Sequence, residues 1–258
     1  MTEQVDKTNA VVRLRHIVEA AAEVPNVDGS AQLTFRQAWS RVFGITDPNE
    51  DGFLELISRI LELRKLFDEV IDSLRELGLD EEMFIQPVHL MGSTLSNLRI
   101  FDKPWANYNG QFNPAHLTAL KFIEREFSKY EQYSEASAKE QEIVEILKTI
   151  DQATEQILDS KLSRASKQLL LDILERLRSG LLNYRIRGAK ALREALGDVL
   201  GKVAVNQPAI EALEKTPEGV TVRGVFLTVT KVYNFVEKNV PLLEAGVNFV
   251  KGFLGSGG

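Results

Sequence analysis

At 258 residues and 28.9 kDa the chain is long enough for one large domain or two small ones, each with a real core. A net charge of −6 disfavours a general polyanion binder, and the absence of cysteine excludes disulfides, thiolate nucleophiles and Cys-ligated zinc. The polar start, Met1 to Lys7, has no charged-then-apolar signal pattern, so a cytoplasmic protein is the expectation.

Val11, Leu14, Ile17, Val18 and Ala21 recur at three- and four-residue steps and predict a first helix, ended by the turn chemistry of Asp28-Gly29. His16 lies on it without a second histidine at ligand spacing. Thr34 with Gln37 forms a capping box for a short helix that buries Phe35, Trp39, Val42 and Phe43 and stops at Gly44.

Asp47-Pro48-Asn49-Glu50-Asp51-Gly52-Phe53-Leu54-Glu55 follows. It resembles the first nine positions of an EF-hand calcium loop, with oxygens from Asp47, Asn49, Asp51 and Glu55 and a glycine at position six. Position twelve is Ser58 where that family places a bidentate Glu, and Pro48 stiffens position two. The competing expectation is a helix-entry loop in which Asn49 or Asp51 caps the next helix, leaving the protein without a cofactor.

Phe53, Ile57, Ile60, Leu61, Phe67, Val70, Ile71, Leu74 and Leu77 predict the chain's most regular helix, closed by Gly78. Asp80 caps a turn carrying Met83, Phe84 and Ile85 that Pro87 is expected to limit, and His89 among apolar neighbours reads as packed. Between Phe101 and Asn113 aromatics alternate with amides and charges. So long a connection points to recognition, and Phe101, Trp105, Tyr108, Asn109 and Phe112 are the candidate contacts for a protein partner. The alternative is an Ω-loop packed by its own rings. Asn113-Pro114 then opens a further helix through Leu117, Leu120, Ile123 and Phe127.

Ser137 with Glu140 reads as a capping box, and Ile143, Ile146, Leu147, Ile150, Ala153, Ile157 and Leu158 line the face of the helix it starts. After an elbow at Asp159 to Ser163, where Ser163 reads as the next N-cap, Leu170, Ile173, Leu174, Leu177, Leu181, Tyr184, Leu192, Leu196 and Val199 predict one long rod. Its weak spots are Ser179-Gly180 and Gly188, and Gly201 is its expected end. So short an elbow implies antiparallel packing, with the Phe53 to Leu77 helix alongside. Residues 131–159 hold eight acids against two bases, and 161–193 nine bases against two acids. The bases fall on several sides of the apolar stripe, so pairing and solvation are favoured over nucleic acid, which is not an expected partner.

Beyond, Pro208 to Glu214 reads as a short helix and Pro217-Glu218-Gly219 as a turn, with a strand an option at Val220 and Val222. The tail is rich in β-branched and aromatic residues. Three readings fit it: a bundle element completing the core, a partner-docking segment, or a membrane-surface segment. The docking residues would be Val225, Phe226, Val229, Tyr233, Val236, Val247, Phe249 and Phe253.

The expectation is an all-α fold: an elongated multi-helix bundle built on an antiparallel hairpin over 137–200, with a C-terminal apolar amphipathic helical segment. The regions are 1–112, 113–202 and 203–258, acting as one cooperative unit. The function expected is a non-enzymatic adaptor, scaffold or regulatory subunit that binds a protein through helix faces and the 101–113 loop. The alternative is a membrane-associating effector whose 221–254 segment docks on a bilayer, a peripheral membrane protein. Self-association through the rod is compatible with both. The sequence carries no Walker loop, dinucleotide fingerprint, His-Glu-x-x-His or nucleophile elbow.

Overall fold

The computed structural model describes residues 7–29, 31–46, 51–96 and 98–237. Ten α-helices span them: α1 Ala10–Ala22, α2 Phe35–Phe43, α3 Asp51–Glu76, α4 Gln86–Ser93, α5 Pro114–Phe127, α6 Glu140–Asp159, α7 Arg164–Arg187, α8 Ala189–Val205, α9 Gln207–Leu213 and α10 Pro217–Val236. The all-α expectation holds. The chain divides into two compact units, Thr8–Ser134 with Arg185–Gly188, and Glu135–Tyr184 with the described residues from Ala189 onward.

In the first unit the start signals act as their chemistry implies. The Thr34 hydroxyl accepts from the Gln37 N–H while the Gln37 side chain accepts from the Thr34 N–H, and Gly44 takes the left-handed conformation that ends α2 at φ 69°. Asp80 accepts from the Met83 N–H at 2.7 Å, capping a π-helical turn at Glu81–Ile85. Pro87 does not stop this turn as expected; it occupies the first turn of α4, where its missing N–H removes no helical hydrogen bond. On α3 the buried stripe is wider than predicted. Leu56, Leu63 and Leu66 are fully buried, and Leu61 is turned to solvent.

The loop at 101–113 coils through two 3₁₀ turns, Trp105–Asn107 and Asn109–Phe112. Main-chain hydrogen bonds fasten it to the segment before α2: Phe35 N–H to Lys103 C=O at 2.9 Å, and Trp105 N–H to Leu33 C=O at 2.8 Å. Phe101, Trp105 and Phe112 enter an aromatic core with Phe35 and Trp39, Trp105 stacking on Phe112 at 5.6 Å between centroids. The end of α7 belongs to this core too. Ile186 is fully buried, its carbonyl accepts from Arg13, and Arg187 pairs with Glu62 of α3 at 2.9 Å.

The second unit is a four-helix bundle, and its pairing can be read from side-chain partners. Between α6 and α7, Lys167 reaches the Leu158 carbonyl, Arg178 pairs with Asp151, and the Tyr184 hydroxyl accepts from the Ala138 N–H at 2.8 Å. Partners move away from the elbow in step, so the hairpin is antiparallel as the sequence implies. The capping box at Ser137 does not form. Lys139 holds the N-cap position without a side-chain bond, and Ser137 donates to the Ala138 carbonyl at 3.4 Å. Ser163 does cap the next helix, accepting from Ser166 N–H at 3.1 Å.

The long rod is two helices. Gly188 sits at φ 58°, a conformation that costs an L residue, and α8 folds back along α7. Arg176 pairs with Asp198 and Asp172 with Lys202, again antiparallel. Ser179-Gly180 leaves α7 unbroken and serves close packing: a Cβ on Gly180 would lie 2.5 Å from that of Ala195. Gly201 does not end α8, which runs on to Val205.

α10 completes the bundle against α6 and α8. It begins at Pro217-Glu218-Gly219, which is its first helical turn and not a separate turn, and Val220 and Val222 are helical. The helix over Phe53 to Leu77, expected beside the hairpin, buries its stripe in the first unit's core instead. So does α5, which moves the boundary from residue 112 to residue 134.

Candidate functional site

The residues nominated as a recognition surface are largely interior. Phe101, Trp105 and Phe112 are 3%, 0% and 2% exposed, so a partner could not reach them without unfolding the loop. Tyr108 and Asn109 are half-buried, and Asn109 donates to Asn26 at 2.7 Å. The rings are buried because the loop's backbone is pinned to the Leu33–Phe35 segment, which forces them inward against Trp39. On α10, Val225, Phe226, Val229, Tyr233 and Val236 are core residues of the bundle, so a bilayer or partner would meet them only if α10 left it. Val247, Phe249 and Phe253 lie outside the described residues, as do Asp47 and Asn49. Asp51 opens α3, and Glu55 is committed to Arg59 one turn on at 2.6 Å.

The histidines do not assemble. His116 donates from Nδ1 to the Gln111 carbonyl at 2.7 Å, His89 is exposed on α4 rather than packed, and Asp102 pairs with Arg36. Among the described residues no group of three or more His, Asp or Glu is placed to hold a metal ion, and no helix is long and apolar enough to cross a membrane.

What the sequence did not single out is a recess at one end of the second unit's bundle, where α7, α8, α9 and α10 converge. Leu170 and Ile173 of α7, Val199, Leu200 and Val203 of α8, Ile210 and Leu213 of α9, and Val222 and Phe226 of α10 line a cavity of about 70 Å³. α9 packs on both α8 and α10 at this end, and its Ile210 and Leu213 form one side of the wall. The corner between α9 and α10 is fixed by Thr216, which accepts from the Gly219 N–H at 3.1 Å and donates to the Leu213 carbonyl at 2.7 Å. Gly219 is required there, since a Cβ would lie 2.1 Å from that same carbonyl oxygen.

Two charged residues, Glu214 and Arg223, join the apolar lining. Arg223 is exposed. Glu214 caps α9 through its backbone, while its side-chain Oε1 is buried with no hydrogen-bond partner among the described residues. A carboxylate oxygen shut away from water without a donor costs free energy comparable to a lost hydrogen bond, about 1–3 kcal/mol. Immediately across the first turn of α10 lies an open polar groove of about 870 Å³, lined by Gln152, Glu155, Gln156, Asp159, Ser160, Pro217 and Glu218. Its lining residues include three carboxylates and no Lys or Arg. The C-terminal end of α6 and the N-terminal turn of α10 both border the groove, so their opposite dipole ends offset each other and its negative field comes from the three carboxylates.

Deeper in the bundle, Tyr233 is fully buried and its hydroxyl finds no partner among the described residues; burial holds its phenol above the ordinary range. The signal for the recess was present in the sequence only as apolar stripes. Helical periodicity assigns faces, but not which helix end a neighbour fails to cover. Compared with known protein families, curated proteins and solved structures, the chain matches none.

Proposed function

We propose that the protein is a non-enzymatic interaction module whose contact site is the recess at the α7–α10 end of the C-terminal bundle. The site accepts an apolar side chain from a partner protein. The observation that carries this reading is the combination of an apolar cavity with a buried acceptor, Glu214 Oε1, left without a donor. A pocket that is mostly apolar with one placed polar group is the usual design of a site that orients what it binds. The volume suits one aliphatic side chain, so the ligand is an anchor belonging to something larger.

Replacing Leu200, half-buried on the recess wall, with a photo-cross-linking residue in the full chain tests this. Irradiation in cells that make the protein naturally should give one adduct, mapped to a single segment of one partner. The same probe at exposed Glu145 on α6 should not give it. Equal labelling from both positions would refute the reading.

A further inference from the structure

We infer that the segment seated in this site is a basic amphipathic one, with an aliphatic anchor in the recess and Lys or Arg side chains on Glu214 and on the carboxylates of the adjoining groove. The inference rests on the recess being the contact site. Recess and groove lie on either side of the same helical turn, Pro217 and Glu218 lining one and Gly219 and Val222 the other. A ligand over that turn therefore meets apolar walls and acidic walls within one turn of α10.

The recess of about 70 Å³ takes a side chain, and the groove beside it is open to solvent, so the chain that carries the anchor can run on across the turn into the groove. Sign decides the flanking chemistry. Glu155, Asp159 and Glu218 face the groove without a lining base, and Glu214 Oε1 is desolvated. Arg223 also lines the recess, but it is exposed whereas Glu214 is half-buried, so water screens the repulsion of an incoming cation by Arg223 more than its attraction by Glu214. A metal ion is the weaker occupant, because no three described carboxylates converge at ligand geometry. Helix-in-groove recognition supplies the pattern of apolar anchors at i, i+3 or i+4 and i+7 with charges beside them.

Fluorescence anisotropy on the full chain tests this with three labelled helical peptides of equal length: leucine stripe with lysine flanks, leucine stripe with glutamate flanks, and serine stripe with lysine flanks. The leucine/lysine peptide should bind and weaken as salt is raised, and the other two should bind at least roughly tenfold more weakly. Glu214→Gln should weaken the leucine/lysine peptide by roughly tenfold while leaving the circular dichroism spectrum unchanged. Val203→Phe, which adds a ring to the recess, should block it.

Equal binding of lysine- and glutamate-flanked peptides, blocked by Val203→Phe, would overturn the basic chemistry and leave the recess standing. Binding unaffected by Val203→Phe would overturn both. Failure of all three peptides would overturn the basic segment, with the Leu200 cross-link deciding the recess separately. Tighter peptide binding by full-length Phe249→Asp/Phe253→Asp would give the site to the protein's own C-terminal segment. Dimerisation lost on Glu214→Gln would give it to a second copy. Either result would overturn the partner assignment.

Discussion

Gly180→Ala sets two known effects against each other at one position. In an exposed helix, glycine to alanine stabilises by about 1 kcal/mol. Here the added methyl would sit 2.5 Å from the Ala195 Cβ and 3.2 Å from the Ala191 carbonyl oxygen. Carbon atoms pack best at about 3.5–4.0 Å, so α7 and α8 must part by about 1 Å and loosen the buried leucines on either side, Leu177, Leu181 and Leu192. Overpacking of this kind costs about 1–3 kcal/mol, and it outweighs the propensity gain. A net loss of about 1 kcal/mol is expected. Urea unfolding followed by circular dichroism measures it. Fluorescence reports separately on the first unit, because both tryptophans, Trp39 and Trp105, reside there. The double variant Gly180→Ala/Ala195→Gly removes the worse contact and should recover most of the loss, a favourable coupling of about 1–2 kcal/mol. Stabilisation by Gly180→Ala, or strict additivity of the pair, would refute the close approach of these helices.

Tyr184→Phe and Tyr233→Phe should diverge although both hydroxyls are buried. The first strands the Ala138 N–H and should cost about 1–2 kcal/mol, while the second removes an unpartnered group and should be neutral or stabilising in chemical unfolding. Trp105→Ala should destabilise the first unit by about 3–5 kcal/mol, read as loss of its cooperative unfolding transition, since the ring is fully buried among Phe35, Trp39 and Phe112. Hydrogen bonds from Lys202 and Gln168 hold the Asp172 carboxyl below its usual 3.8. A lowered folded value contributes stability above that ordinary value, and the contribution is lost as pH falls through the folded one. Asp172→Asn should therefore unfold at lower urea than the parent at pH 7, with the gap closing at about pH 2, below the carboxylate range.

The hairpin was legible because its evidence is local: stripes at three- and four-residue steps, a short polar elbow and Ser163 at a helix start. Caps at Thr34, Asp80 and Asn113 were legible for the same reason. Errors arose where a distant contact overruled a local signal. The periodicity across Gly188 is continuous, so one rod was expected, yet φ 58° at that residue turns the chain back and the same stripe serves two helices. Phe101, Trp105 and Phe112 alternate with polar residues as a binding loop would, but pairing of the loop with Leu33 and Phe35 turns the rings inward. The recess itself was illegible. Thr216-Pro217 does carry the cap-then-proline pattern of a helix start, as Asn113-Pro114 does, a signal that the reading of Pro217-Glu218-Gly219 as a separate turn passed over; which side chains of α7 to α10 leave a gap at that bundle end has no sequence pattern.

Methyl-resolved NMR of the full chain during addition of the leucine/lysine peptide tests the recess most directly. The account predicts that methyls of Val203, Leu213 and Val222 shift together and saturably, while those of Leu14, Leu56 and Leu66 in the first unit's core stay in place. Shifts centred on the exposed methyls of Leu61 and Met83, with the recess methyls unmoved, would contradict it.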